Sequence, residues 1–505
     1  MASYYLTTAI DYSNGEPHVG HAFEKIGADA IARYRRLRGD DVRFVIGMDE
    51  HGQNVAREAS ARGTDPQRLV DDLAERWRET WRRLAISNDD FIRTTEPRHE
   101  AAVTELLTRI LRSDDIYLDR YAGYYCERCE AFRKESELVD GRCPLHPSRD
   151  IQWTEEENYF FRLSAYRDRL LAHVEAHPDF IRPPSRKNEI LRLLEGGLED
   201  ISASRARVPW GIPFPGAEGH TVYVWFDALP NYLSAVGFPD GEFETRWPAQ
   251  LHVIGKDITR FHCVIWPAML MSAGLELPRC VWAHGFVKVG GGKLSKSEAA
   301  ALDLHELVAR HGTDAFRYFM LREVPWHGDR DFPSVDAFLD RFDERYTSDL
   351  ANDLGNLLNR TVSMTLRYRN GALDHEAGST ALDEKTAGTV AAYHEHMAEH
   401  RLLEALEAAM SVVRDANGFI DEREPWRLAK TPEAAGDLDT VLASLVRALS
   451  WTAAALAPFM PEKTEELWAR LGGEGALPPF EALAGRYPRH VAGRSEGVLF
   501  PRPQS

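Results

Sequence analysis

Five cysteines in 505 residues are too few and too unevenly placed for a secreted disulfide scaffold. Three fall together at Cys126, Cys129 and Cys143, while Cys263 and Cys280 stand apart. Long apolar runs are also missing. The longest, near "WTAAALAPFM", is too short to span a bilayer. The start, "MASYYLTTAIDYSNG", has no basic segment and places Asp11 where a signal peptide's apolar core would continue. Low-complexity tracts and internal repeats are absent, and 44% hydrophobic with 28% charged residues is an ordinary globular balance. Excess positive charge is lacking too: the formal net charge is -18. That excludes a general polyanion binder, whose affinity comes from neutralising phosphates. A large nucleic-acid partner on a local basic face stays compatible with it. The expectation is a soluble cytoplasmic protein with no membrane partner.

A chain of this length exceeds one core, so roughly two to four domains are expected. "YYLTTAI" (Tyr4 to Ile10) reads as a buried strand, and Ile26, Ala30, Tyr34 and Leu37 then recur at helical spacing until Gly39. "VRFVIGMD" is the next buried strand, which makes a βαβ unit and a parallel sheet. "GHTVYVWFDA", "AQLHVIGKD" and "RCVWAHGFVKV" bring strands back much later. The predicted fold is α/β, a doubly wound, Rossmann-type parallel sheet split by an insertion of about residues 116–217. From about Phe342 strand signals vanish. Leu402, Leu406, Ala409, Val413, Ala416 and Ile420 step by three and four, as do Leu438, Leu442, Leu445, Leu449, Ala453 and Leu456 before Pro458. The last ~160 residues are therefore expected to form an all-α bundle.

Three patterns carry chemistry. "HVGH" places His18, Gly20 and His21 in a strand-to-helix turn. Gly20 permits close backbone approach, and a helix N-terminus attracts an anion, so the histidines suit a polyphosphate. A helix cap is the plain alternative, and a metal site lacks a nearby third ligand. "GGGKLSKSEAA" is a glycine-rich loop offering Lys293 and Lys296 to phosphates, or else an exposed charged hairpin; it is not a Walker loop. Cys126 and Cys129 form C-x-x-C, and Cys143 and His146 form C-x-x-H. Three thiolates and one imidazole would close a tetrahedral shell around one structural Zn2+. Reduced, unliganded thiols and a redox pair are the competing readings.

"HVGH" and "KLSKS", flanking an interrupted α/β fold, resemble the two signatures of class I aminoacyl-tRNA synthetases. More narrowly, "TTAIDYSNGEPHVGHAFEKIGADAIARYRRLRG", "MDEHGQNV", "YVWFDALPNYLSA", "VIGKDITRFHCVIWPAML" and "PWRLAK" resemble the methionyl-tRNA synthetase family over nearly the whole chain. That resemblance implies an ATP-dependent ligase that makes methionyl-adenylate and passes the methionyl group to tRNA(Met), initiator tRNA included. It implies His18, Gly20, His21, Lys293 and Lys296 as catalytic residues. Asn14, Glu24, Gly255 and Asp257 would join them around ATP, which enters with Mg2+. Ile10, Tyr12, Asp49, Trp225, Ala228, Leu229, Tyr232, Ile258 and His262 would line the methionine pocket, with Asp49 pairing the substrate ammonium. Methionine is an unbranched, polarizable thioether that packs well on aromatic edges. Rejecting homocysteine, one methylene shorter, can draw on only about 1–3 kcal/mol, so some editing at the same site is expected. Asn356, Arg360 and Trp426 match the residues that read the anticodon, where stacking and edge hydrogen bonds recognise a single-stranded loop.

The implied domains are 1–115 and 218–285 for the two catalytic halves, 116–217 for the connective insertion with its zinc knuckle, 286–345 for a stem-contact segment and 346–505 for the anticodon-binding bundle. Val19 and Leu294 are mild departures from the family signatures, and "SEAAALD" after the lysine loop is a larger one. The chain stops at Ser505 with no appended dimerisation or tRNA-binding domain, so a monomer is expected. A small-molecule nucleotidylyltransferase, a zinc-containing RNA-binding protein and a synthetase for another apolar amino acid are the rival functions.

Overall fold

Along β1 (Ser3–Thr8) the side chains of Tyr4 and Leu6 join one apolar cluster and Tyr5 joins the other, and all three are buried. A strand covered on both faces belongs at the centre of a parallel sheet. The computed structural model describes residues 2–502 apart from 14, 127–130, 134, 145–149, 207, 292–300, 375–377 and 492–496.

β2 (Asp11–Tyr12) follows β1, and α1 (Val19–Leu37) leads to β3 (Asp41–Asp49), which returns parallel beside β1. Ala22, Phe23, Ile26 and Ala30 bury the inner face of α1, Arg35 and Arg36 sit in its last turn, and Gly39 turns the chain at φ 83°. β4 (Asp90–Arg93) extends the sheet past β3. On the other side of β1 lies β12 (Leu251–Gly255), then β13 (Val281–His284), then β8 (Ile181–Arg182). The order is β4-β3-β1-β12-β13-β8, every pair parallel, with β2 against the end of β3. So residues 181–182, inside the segment read as an insertion, are hydrogen-bonded into the main sheet.

The rest of that segment builds a separate antiparallel sheet. β5 (Ile116–Cys126) is flanked by β6 (Ala131–Arg133) and β7 (Gln152–Phe161), and β9 (Ile201–Ser202) pairs with β7. "GHTVYVWFDA" does not return as a strand of the main sheet. Only β11 (Thr221–Val222) is extended, and it pairs antiparallel with β10 (Ser204–Arg205). Val224–Ala228 is a short helix. Its apolar run resembles a buried strand because both bury successive positions, here Phe226 to Ala228, and only the tertiary partners distinguish them. "RCVWAHGFVKV" divides likewise: β13 stays in the main sheet, while β14 (Val287–Val289) pairs with β15 (Arg330–Phe332). The break falls at Gly285, where a Cβ would lie 2.0 Å from the Gly328 carbonyl oxygen.

Beyond β15 the described residues contain no strand. Helices Asn356–Arg369, Ala381–Ala398, Leu402–Arg423, Ala435–Leu456 and Pro461–Arg470 pack around a core that includes Leu406, Val413, Leu445 and Leu449. Among the described residues no helix is long and apolar enough to cross a membrane. Arg317, on the helix Thr313–Glu323, joins the two halves. It is fully buried, ion-paired to Asp29 of α1 at 2.6 Å, and it donates to the carbonyls of Leu84, Pro458 and Phe459.

Candidate active site

The strand order reverses at β1, since the chain next builds outward through β3 and β4 and later through β12 and β13 on the other side. Loops diverge there, leaving a crevice at the carboxyl ends of the strands. The segment between β1 and α1 carries Ile10, Tyr12 and His18; the helical turns after β12 carry Asp257, Ile258 and His262, and β12 ends at Gly255. Asp49 ends β3, is buried and is register-paired with Tyr12. A Cβ on Gly47 would meet Ile10 at 2.8 Å, so a glycine there lets the Ile10 loop lie against β3.

His18 caps α1. Its Nδ1 accepts from the Gly20 amide at 3.1 Å, while Nδ1 of His21 accepts from the His18 amide at 3.2 Å. The rings stack with centroids 3.7 Å apart. A Cβ on Gly20 would lie 2.9 Å from the His18 ring, so only glycine leaves room for this cap. Because both Nδ1 atoms accept, a neutral ring at either position carries its proton on Nε2. Burial, with His18 and Lys25 nearby, holds His21 well below the usual histidine range, so it acts as a neutral donor. The cap and the phosphate site are therefore compatible uses of the same two side chains. Asn14, Lys293 and Lys296 lie outside the described residues. Glu24 faces inward, with one oxygen on Lys25 at 2.7 Å and the other on His284 at 2.9 Å. Asp257 is exposed, and its carboxylate lies 2.8 Å from where a Cβ on Gly255 would sit.

On the other side of the crevice, the Tyr232 hydroxyl lies 2.7 Å from Nε2 of His262, whose Nδ1 lies 3.1 Å from the Ile258 carbonyl oxygen. A carbonyl only accepts, so Nδ1 carries the proton and Nε2 accepts from Tyr232. Burial pushes His262 down to about 4. The Tyr232 ring lies 4.2 Å from that of His252, and Nδ1 of His252 is 2.7 Å from the Thr7 hydroxyl. Tyr5 donates to the Tyr232 carbonyl. Trp225 stacks on Phe261 with centroids 3.5 Å apart. Ala228 and Leu229, at the end of the same short helix, are buried.

Three residues beside this site escaped the sequence pattern. Asp227, fully buried, takes His51 Nδ1 at 2.7 Å and His99 Nε2 at 2.9 Å. Burial alone would raise its carboxyl, but the two imidazoles outweigh it and hold it below the usual range. His51 is raised in turn, Asp227 outweighing burial. His51 and Asp227 lie inside "MDEHGQNV" and "YVWFDALPNYLSA", but no local period links them. His51 also lines a small cleft with Tyr125, Arg205 and Trp210, where the antiparallel sheet meets the main one.

Cys126 ends β5 and Cys143 follows the Val139–Arg142 bridge; both are buried. Cys129 and His146 lie outside the described residues, and among those described no group of three or more His, Cys, Asp or Glu is arranged to hold a metal. In the bundle, Asn356 is exposed and Arg360, one turn on, pairs with Asp421 at 2.6 Å. Trp426 is 38% exposed beside buried Pro425.

The family pattern described as tRNA synthetases class I (M) matches residues 4–152 and 145–362, and that of the anticodon-binding domain of tRNA ligase matches 380–488. The chain is 43% identical to a methionine--tRNA ligase of Caldanaerobacter subterraneus subsp. tengcongensis, over 99% of this chain and 79% of the relative. It is 44% identical to that of Thermotoga maritima over 93% and 75%. The fold is similar to Mycobacterium tuberculosis methionyl-tRNA synthetase in complex with methionyl-adenylate, with a TM-score of 0.94, 42% identity, and coverage of 99% of this chain and 100% of that one. On sequence and fold together, the chain belongs to the methionyl-tRNA synthetase family of class I.

Proposed function

We propose that this chain activates L-methionine with ATP to methionyl-adenylate and transfers the methionyl group to the 3' end of tRNA(Met), initiator tRNA included. The observation that carries this is full-length likeness to methionine--tRNA ligases, 43% identity over 99% of the chain. Mg2+ accompanies ATP as part of the substrate.

The methionine carboxylate attacks the α-phosphate in line, and pyrophosphate leaves. The Nε2–H groups of His18 and His21 donate to the charge that develops on the phosphates, which lowers the barrier without a covalent intermediate. Their cap contacts hold both rings before ATP arrives, so little reorganisation is needed. Lys293 and Lys296 act as the opposing clamp on pyrophosphate, with Asn14, Gly20, Glu24, Gly255 and Asp257 around the nucleotide. Asp49 pairs the methionine ammonium. Ile10, Tyr12, Trp225, Ala228, Leu229, Tyr232, Ile258 and His262 enclose the side chain; a Tyr232–His262 pair that stays neutral admits a thioether and disfavours a charged group.

Residues 116–217, apart from the strand at 181–182 that joins the main sheet, act as the connective insertion, and 286–345 as the stem-contact segment between the catalytic halves and the bundle. Cys126, Cys129, Cys143 and His146 would hold one structural Zn2+. The donor set fits a closed tetrahedral site, and the two described thiols, Cys126 and Cys143, are buried. Bound zinc would stiffen the ribbon that carries them and take no part in the chemistry. Asn356, Arg360 and Trp426 read the anticodon. The protein works as a cytoplasmic monomer.

Pyrophosphate exchange with each amino acid in turn tests the reading. Exchange with methionine, and weaker exchange with homocysteine, is expected. Exchange with leucine or cysteine and none with methionine would overturn it.

A further inference from the structure

Beneath the two histidines lies a buried charged cluster in which Glu24, already placed by the nucleotide, meets Lys25 and Asp11, two residues that no step above uses. Lys25 follows His21 by four residues on α1, so it sits one turn further in on the same face. It is fully buried, with the Trp81 ring 6.0 Å away. Its ammonium donates to the Ala9 carbonyl at 3.0 Å, and it meets the Asp11 carboxylate at 2.9 Å and the Glu24 carboxylate at 2.7 Å. An ammonium has three protons, and here it has three acceptors. Glu24 passes the connection on to His284, whose other ring nitrogen lies 2.7 Å from the Gly285 carbonyl oxygen, just before β14.

The acceptors come from different parts of the site. Ala9 and Asp11 bracket Ile10 and precede Tyr12, on the side assigned to methionine. Glu24 lies on the first turns of α1, on the nucleotide side. We infer that Lys25 is a positioning residue for methionine activation, its ammonium tying the Ala9–Tyr12 segment to the helix that carries His18, His21 and Glu24. This rests on the proposed function and adds to it a residue that touches neither substrate.

The geometry favours this over a plain stability role in two ways. A lysine kept only for burial does not need acceptors from both a loop segment and a helix, and a hydrophobic side chain would fill the space without desolvating a charge. The segment it holds is also short, and its backbone bonds run to the sheet: Asp11–Tyr12 pairs with β3, and the Ala9 and Ser13 amides donate to the Val253 and Asp49 carbonyls, so Lys25 adds a tie from the segment to α1. The direction of the charge shifts agrees. Burial would lower Lys25, but Asp11 and Glu24 outweigh it and keep the ammonium charged. Burial and Glu24, against Lys25, push Asp11 up to about 7, while Lys25 and His284 overcome burial to hold Glu24 down.

The test is pyrophosphate exchange by the full chain, with KM for methionine and ATP measured separately and thermal melting followed alongside. Asp11→Ala weakens the methionine-side arm only, leaving the Ala9 carbonyl as its remaining contact. It is expected to raise the methionine KM about tenfold with the ATP KM within about twofold, as loss of uniform binding does. Asp11→Asn, whose amide oxygen still accepts from Lys25, should recover part of that loss. Lys25→Met cuts both arms and should raise both KM values and lower kcat by about a hundredfold, the scale of a small misplacement. If both Asp11 variants lower the melting temperature and leave both KM values unchanged, Lys25 is structural only and the inference fails. Should Lys25→Met not fold, the Asp11 pair decides alone. Absence of methionine exchange in the unsubstituted chain would instead overturn the proposed function itself, and this inference with it.

Discussion

The hydroxyl of Tyr232 donates to Nε2 of His262 across 2.7 Å, and the histidine's other nitrogen is committed to the Ile258 carbonyl. Neither group can rotate away without leaving a buried polar atom unpaired, so the pair presents a fixed, neutral wall to whatever enters beside it. Tyr232→Phe should therefore cost about 1–3 kcal/mol of methionine binding through the stranded imidazole nitrogen. In exchange kinetics the expected result is a methionine KM raised about 10- to 100-fold with little change in the ATP KM. An unchanged methionine KM would remove Tyr232 from the pocket.

His262 also sets an acid limit. Burial depresses it from 6.5 to about 4, and burial takes His173 to about 4 and His400 to about 3. A depressed group contributes stability that is present above its unfolded value and lost as pH falls through its folded value. Stability should therefore decline between pH 6.5 and about 4. Asp11 has the opposite sign: raised from 3.8 to about 7, it contributes below the former and loses that contribution as pH rises through the latter. Urea unfolding across pH checks this; the acid slope should be shallower in His262→Gln.

Arg317 and Asp29 form an ion pair with both side chains wholly inaccessible to solvent. Removing one partner strands a buried charge, so Arg317→Met should destabilise by about 3–5 kcal/mol. Arg33 and Ser87 also hold Asp29, which puts the expected loss toward the lower figure. Asp29→Asn combined with Arg317→Met should recover part of it. A melting temperature unchanged in the single variant would show that the pair does not join α1 to the bundle.

Trp426, exposed beside buried Pro425, should matter to tRNA and not to activation. Trp426→Ala is expected to raise the tRNA KM in charging by at least about tenfold, since one stacked base contributes about 1–3 kcal/mol. Pyrophosphate exchange should stay close to normal. Equal loss of both activities would refute the assignment of the bundle.

Purified protein should carry one zinc per chain by elemental analysis. Cys126→Ser or Cys143→Ser should abolish it, because a structural site needs all four donors. Chelation should loosen the ribbon, seen as faster amide exchange in residues 116–161, before the main sheet unfolds. Metal-free protein with the same exchange pattern would remove zinc from the description.

Much of this molecule follows from local pattern. Full burial of both faces along Tyr4–Thr8, the three- and four-residue steps of Leu402–Ile420, the turn at Gly39 and the His-x-Gly-His approach to a helix are all properties of neighbouring residues, because strands and helices repeat every 2 and 3.6 positions. They determine the α/β half, the helical half and where the strand-to-helix turn with its two histidines falls. The tertiary structure alone decided the rest. "VWFDA" is a helix that brings Asp227 to two histidines, His51 lying 176 positions away. The tautomers of His18, His21 and His262 came from the acceptors and donors around them. Lys25, a polar residue on a helix that sequence alone would leave in water, was drawn inside by Ala9, Asp11 and Glu24. Buried charge needs a partner, and which partner arrives is set by how the whole sheet brings its loops together, not by anything within a turn's reach along the chain.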